Sequence, residues 1–158
     1  MERISYSELP NGFLTPLLKG QELVEHSGLD VKLIYLIKMR VSQINNCAYC
    51  IDMHYKEAME VGETPQRLIS LSAWRETNYY SPREQAALAF AEVLTFMPPN
   101  VASEGIHDEL SKHFSKQEIA FLTLATIQIN SWNRLVRSFG AVAGTYQVKK
   151  KAAALNSN

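Results

Sequence analysis

Helix-start signals recur along this chain of 158 residues. A Thr-Pro or Ser-Pro pair places a capping side chain before a proline at the first helical position, where the missing N–H has no partner to lose. In a capping box, a Ser side chain and a Glu three residues later satisfy each other's backbone N–H groups. We find no alternation of apolar and polar residues typical of a strand. The chain is therefore predicted to be all-α, with helix starts at Thr15, Asp30, Thr64, Ser81 and Ser115.

The same signals set the predicted helix bounds. Thr15 acts as an N-cap before Pro16 and opens a helix that ends near Gly28, and Pro98-Pro99 stops a later one. The other predicted helices cover residues 30–45, 46–62, 64–74, 81–96, 103–114 and 115–139.

Length and charge limit the function classes. A chain of this length forms one domain, which we expect to cover residues 1–144. Residues 145–158 include Lys149–Lys151 and little to bury, so we expect a frayed or disordered tail. Lys plus Arg and Asp plus Glu both number 16, and no global field attracts the protein to nucleic acid or an anionic membrane.

The apolar segments are too short for a membrane protein. The N-terminus has no apolar core of a signal peptide, and the longest apolar stretch, Ile119–Ile129, is interrupted by Gln128. We expect a soluble cytoplasmic protein without a membrane partner. In a reducing cytosol, a CxxC pair is more often catalytic or metal-binding than structural.

The two cysteines of the chain, Cys47 and Cys50, precede His54 in a CxxCxxxH arrangement. On a helix this spacing places all three side chains on one face. Asn45 or Asn46 is the predicted N-cap, so Cys47 lies in the first turn, where free N–H groups and the helix dipole stabilise a thiolate. His54 is suited to accept a thiol proton near neutral pH. The arrangement favours a dithiol–disulfide cycle.

Two other interpretations of the cysteine pair remain open. Cys47, Cys50 and His54 could bind zinc, but a structural zinc site has four ligands, and the remaining histidines form no second cluster. The cysteines could also be inert, because free cysteine is among the most buried residue types. Those remaining histidines are His26, His107 and His113.

Several runs together resemble a known family. Leu36–His54, with Ser-Gln-Ile-Asn before the cysteines, is similar to the core of the AhpD-like alkylhydroperoxidase branch of the carboxymuconolactone decarboxylase family. The resemblance continues through Trp74–Glu76, Pro82–Leu88 with Glu92, and Asn130–Arg134, and covers about three-quarters of the chain.

This resemblance implies an all-helical bundle that assembles into homo-oligomers, trimers or hexamers, and reduces hydroperoxides without a cofactor or metal. It implies that Cys50 attacks the peroxide and that Cys47 resolves the product into a disulfide. A thiol or dithiol donor, such as a lipoyl or thioredoxin-like protein, then reduces that disulfide. The helix dipole alone would activate Cys47 more, whereas the proximity of His54 to Cys50 supports the family's assignment.

The sequence departs from the family at one position. A glutamate that helps the histidine relay protons usually stands twelve residues before the first cysteine, and here that residue is Tyr35. A tyrosine, with a pKa near 10, accepts protons poorly at neutral pH. Glu76, Glu84 or Glu92 is expected to approach His54 from another helix, or turnover is weak. Glu92 is the first candidate, because its helix is largely apolar.

Other parts of the pattern leave functional alternatives. Arg134 could hold an anionic substrate group, but Trp132, Asn133 and Arg134 are better explained as packing and subunit contacts. A lactone decarboxylase of the same superfamily would not need a CxxC pair. A redox-responsive oligomer or binding protein without turnover is the alternative from another class.

Overall fold

The computed structural model describes residues 2–99 and 104–148. Seven α-helices follow one another in this part of the chain, and it contains no strand, which confirms the all-α prediction. Short 3₁₀ turns occupy Tyr6–Glu8 and Leu71–Glu76. The helices are α1 (Thr15–Glu25), α2 (Val31–Ile44), α3 (Ala48–Glu60), α4 (Pro65–Ser70), α5 (Pro82–Phe96), α6 (Glu104–Ser111) and α7 (Lys116–Phe139).

Local side-chain caps begin four of these helices as predicted. The Asp30 carboxylate accepts hydrogen bonds from the backbone N–H groups of Lys32 and Leu33, at 2.7 and 3.1 Å. Thr64 caps α4, and Ser81 and Ser115 form complete capping boxes at α5 and α7. Each such cap contributes about 1 kcal/mol.

Three predicted helix ends were wrong. Leu14, whose backbone angles are already helical, is the N-cap of α1. Thr15 is therefore the first residue of this helix and not its N-cap. The helix opened by Thr64 stops at Ser70, and a 3₁₀ turn with a kink at Ala73 continues the chain. The helix predicted over 103–114 ends at Ser111, and its residue 103 lies outside the described residues.

The predicted N-cap of α3 was also wrong. Asn46 adopts a left-handed conformation (φ 52°) and donates its N–H to Gln43 O, while Cys47 N–H donates to Ser42 O. These two bonds form a Schellman motif that ends α2, and Asn tolerates this conformation better than most residues. Cys47 therefore becomes the N-cap of α3, with extended backbone angles.

Helix α2 lies at the centre of the bundle and is buried on two sides. One side packs on α5 and α7, with Ile37 and Val41 fully buried. The other side, which includes Leu36 and Met39, packs on α4, the second 3₁₀ turn and Leu88. The cysteines follow directly after the end of this central helix, so the core fixes their position.

The segment after α7 returns across α3. Gly144 N–H donates to Asp52 Oδ2 at 3.1 Å, and Lys56 Nζ donates to the Tyr146 carbonyl at 3.0 Å. Residues 145–148, which we expected to be frayed, are thus attached to the bundle through Tyr146, and 149–158 lie outside the described residues. No helix in the described part of the chain is long and apolar enough to cross a membrane.

Candidate active site

The two cysteines lie at the start of α3 and are joined by a disulfide. Cys47 is the N-cap and Cys50 is the third helical residue, with their Cα atoms 5.3 Å apart. Both residues are only 1% exposed. Val136 of α7 completes their buried cluster, and Trp132 packs against it. The pair therefore forms part of the first turn of α3 and packs against the last turns of α7.

His54 follows Cys50 by one helical turn and is buried. Helical side chains lean toward the helix N-terminus, so the imidazole leans toward the turn that carries Cys50. Its Nδ1 lies 2.8 Å from Glu57 Oε2. A carboxylate only accepts hydrogen bonds, so Nδ1 carries the proton. Nε2, which has no hydrogen-bond partner among the described residues, is then the basic nitrogen.

Burial lowers the pKa of His54, although its hydrogen bond to Glu57 acts in the opposite direction. The imidazole is therefore neutral at pH 7 and able to accept a proton. Burial also disfavours the charged form of Glu57. The hydrogen bonds from His54 and Tyr146 outweigh this effect and hold the pKa of the Glu57 carboxyl below its usual value.

Tyr35, at the position of the family's glutamate, lies beside the histidine. Its ring centroid is 6.4 Å from that of His54, and Lys38 Nζ lies 5.1 Å from the Tyr35 centroid. Burial and the charge of Glu57 raise the pKa of Tyr35 to about 12. The phenol therefore stays protonated at neutral pH and does not act as a proton acceptor there.

The structure does not bring Glu92 to His54. Its Oε1 accepts hydrogen bonds from Arg40 Nε at 2.6 Å and Trp74 Nε1 at 3.0 Å, and its Oε2 accepts one from Arg75 at 2.6 Å. This buried carboxylate joins α5 to α2 and the second 3₁₀ turn. Its charge is already neutralised by two guanidinium groups.

The other two candidate glutamates do not contact His54 either. Glu84 pairs with Arg67 and serves the capping box at Ser81, while Glu76 is exposed. The carboxylate that does contact His54 is Glu57, which the sequence interpretation missed. Its spacing of three residues after His54 on one helix was the available signal.

Asparagine side chains fix the turn before the cysteines. Asn45 Nδ2 donates to Asn133 Oδ1 at 2.9 Å and to Asn130 Oδ1 at 3.0 Å, and Asn133 Nδ2 donates to Ser42 Oγ at 3.1 Å. Asn133 is fully buried. Arg134 bonds to Asn130 of its own helix. These contacts support the packing explanation of the Trp132–Arg134 run.

An open pocket of about 410 Å³ adjoins the disulfide on the Cys47 side. Arg3 donates to the carbonyls of Arg137 and Ser138, and Arg137 donates to the Asn45 carbonyl. The described residues include no set of three His, Cys, Asp or Glu side chains placed to hold a metal ion. The pocket is lined by Arg3, Asn46, Cys47, Ala48, Tyr49, Val136, Arg137, Gly140, Ala141 and Val142.

Comparison with known proteins identifies the family. The profile of the carboxymuconolactone decarboxylase family matches residues 15–93. The uncharacterized protein YdfG of Bacillus subtilis (strain 168) is 37% identical over 139 residues, which is 88% of this chain and 95% of YdfG. The chain belongs to the carboxymuconolactone decarboxylase family.

Solved structures place it in the AhpD-like branch of this family. A protein of unknown function from Agrobacterium tumefaciens, suggested to be the antioxidant defence protein AhpD, is 34% identical with a TM-score of 0.86. The match covers 92% of this chain and 100% of that one. An uncharacterized peroxidase-related protein from Ralstonia eutropha JMP134, described as an alkylhydroperoxidase AhpD core, shares the fold at 19% identity (TM-score 0.72; 83% and 70% coverage).

Proposed function

We propose that this protein is a thiol-dependent hydroperoxide reductase that uses the Cys47–Cys50 pair as its redox centre. The observation that carries the proposal is a disulfide in the first turn of α3 with a buried histidine one turn later. The Nε2 atom of this histidine remains basic, while Nδ1 is held by the carboxylate of Glu57. The AhpD-like relatives of the chain also support a peroxidase-related role.

In the reduced protein, Cys50 is the peroxidatic thiol. His54 Nε2 accepts its proton, and the thiolate at the third position of α3 is stabilised by the free N–H groups of the first turn. The Cys50 thiolate attacks the terminal oxygen of the hydroperoxide, and the O–O bond breaks. The alcohol leaves with the proton from His54, and Cys50 becomes a sulfenic acid.

Cys47 resolves this intermediate. Its thiolate attacks the Cys50 sulfur, the S–S bond forms, and hydroxide leaves and takes up a proton to become water. Two thiols of an external donor then restore the dithiol and leave as a disulfide. The pocket beside Cys47 is the access route for this donor, a thiol or dithiol of the lipoyl or thioredoxin-like kind that a reducing cytoplasm supplies.

Peroxide consumption by the purified protein tests the proposal. With cumene hydroperoxide and dithiothreitol, we expect wild-type turnover and none from Cys50→Ser. Cys47→Ser should give one sulfenic acid per chain, detected by dimedone labelling and mass spectrometry, without disulfide formation. A wild-type protein that consumes no peroxide above the dithiothreitol background would refute the function.

A homo-oligomer is part of the same proposal. Three large apolar side chains on α1 and α7 are about half exposed, namely Leu18 at 52%, Leu23 at 58% and Ile127 at 52%. Exposed apolar surface of this kind supports contact with further copies of the chain.

A further inference from the structure

We propose that Glu57 is the positioning residue for His54 in this reaction, and that Tyr146 in turn holds Glu57. This inference rests on the proposed function and extends it to residues outside the CxxCxxxH motif. It also accounts for the tyrosine at position 35, because the histidine obtains a carboxylate partner from a different place.

The first contact links Glu57 to the reacting base. His54 Nδ1–H donates to Glu57 Oε2 at 2.8 Å, and the two residues are separated by three positions on the same helix. The backbone of α3 therefore sets their spacing. This hydrogen bond fixes the tautomer and the ring orientation, so that Nε2 is left as the nitrogen that can accept a proton.

The second contact comes from the segment after α7. Tyr146 donates its hydroxyl to Glu57 Oε1 at 2.7 Å. Each carboxylate oxygen of Glu57 thus accepts one short hydrogen bond, which restricts its rotation. Lys56 Nζ bonds to the Tyr146 carbonyl at 3.0 Å and to Asp52 Oδ2 at 2.9 Å, and this holds the segment against α3.

The charged and titratable groups around the histidine come from three elements. Glu57 lies on α3, Tyr35 and Lys38 face the site from α2, and Tyr146 faces it from the C-terminal segment. Glu25 of α1 acts more remotely, on Tyr35 and Lys38. Burial and Lys38 both lower the pKa of His54, whereas Glu57 raises it. Glu57 is therefore the group that preserves the basicity of a buried imidazole.

Glu57 affects the proton that moves from the Cys50 thiol to His54. When the Cys50 thiol gives its proton to His54 Nε2, the ring becomes an imidazolium whose Nδ1–H still points at Glu57. The negative charge stabilises that cation in a poorly solvated site. The same proton is then delivered to the departing alkoxide. Without the charge of Glu57, the imidazole is a weaker acceptor and the Cys50 thiolate is less populated.

The experiment measures oxidation of the reduced protein by cumene hydroperoxide in single turnover between pH 5 and 9. Glu57→Gln should slow oxidation at pH 7 about tenfold, the effect of one pKa unit, and should lower the pKa of His54 in an NMR titration. Tyr146→Phe should slow it about two- to tenfold, the range for one hydrogen bond. The double variant should be no slower than Glu57→Gln alone.

Two variants on the same helix are matched controls. Glu60→Gln removes an equal charge from an exposed position, and Tyr55→Phe removes an equal hydroxyl from another exposed position. Both should keep the wild-type rate and the wild-type pKa of His54. If Glu57→Gln does not fold, Tyr146→Phe carries the test through the same pH profile.

Two results would overturn the inference. One is a Glu57→Gln protein that matches Glu60→Gln in both rate and His54 pKa. The other is a double variant whose loss equals the product of the two single losses, because Tyr146 would then act independently of Glu57. Either result leaves the proposed function intact when the wild type is oxidised normally. If peroxide does not oxidise the wild type, the proposed function itself is refuted.

Discussion

Replacing Glu92 with Gln should destabilise the fold without slowing the chemistry. Glu92 is 7% exposed, and its carboxylate accepts hydrogen bonds from Arg40, Trp74 and Arg75. The Gln side chain keeps the shape but removes the charge, so Arg40 remains largely buried without its counter-charge.

The size of this effect follows from the exposure of the two arginines. Loss of one partner from a buried ion pair costs about 3 to 5 kcal/mol. The Arg40 side chain is 15% exposed, but that of Arg75 is 57% exposed, so water compensates part of the loss. We therefore expect about 3 kcal/mol, the lower end of that range. With a urea m value of about 2 kcal/mol/M, the unfolding midpoint falls by about 1.5 M.

The effect should also depend on pH. Burial favours the neutral acid, but hydrogen bonds from Trp74, Arg75 and Arg40 outweigh it and lower the pKa of Glu92. A group with a lowered folded-state pKa contributes stability above its unfolded pKa, about 4.3, and loses it as the pH falls through the folded value. The difference between wild type and Glu92→Gln should thus be full at pH 7 and shrink below about pH 4.

Urea unfolding at one protein concentration, followed by far-UV circular dichroism, measures these differences. Glu76→Gln is the control, since Glu76 is exposed on the adjacent 3₁₀ turn. A Glu92→Gln protein as stable as this control would refute the reasoning. So would a variant of normal stability whose reaction with peroxide is slow, because Glu92 would then serve the chemistry.

Four further results are expected. His54→Ala should raise the apparent pKa of Cys50 and slow its oxidation by about 10² to 10⁴ while the circular dichroism spectrum stays unchanged. Tyr35→Phe should have little effect on the oxidation rate, whereas Tyr35→Glu should increase it by adding a carboxylate beside the imidazole. If the pocket beside Cys47 admits the donor, Arg137→Gln should slow disulfide reduction by the anionic thiol mercaptoacetate more than reduction by the cationic thiol cysteamine. Arg134→Gln should produce no such difference between the two thiols. Light scattering at micromolar concentration should give a trimer or hexamer, and a monomeric mass would contradict the oligomer.

The sequence predicted the features that depend on short stretches of chain. The caps at Asp30, Ser81 and Ser115 require only residues two or three positions away, and they are present in the structure. Asn46 shows the limit of such reasoning. An asparagine between two helices can cap the second helix or end the first. Here Asn46 ends the first helix, because the N–H groups of Asn46 and Cys47 bond to carbonyls in the last turn of α2.

The partners of the candidate site residues depended on tertiary packing. The hydrogen-bond partners of Glu92 include Arg40 and Trp74, which lie on other elements. The residue pattern of α5 does not indicate these partners. Tyr146 sits in a stretch of polar and small residues, so its composition gave no sign that it reaches α3. Glu57 differs, because its spacing of three residues from His54 on one helix is a local signal that indicates the contact.

The position of Cys47 at the N-cap connects the redox state of the pair to backbone protection. In the oxidised protein its sulfur is bonded to Cys50 and caps no amide of α3. Reduction frees that sulfur to accept a hydrogen bond from the first turn, as Ser or Asp does at other helix starts. Amide hydrogen exchange at residues 49 and 50, the second and third positions of α3, should therefore slow on reduction. This gives a measure of the oxidation state of the protein that needs no thiol-reactive reagent.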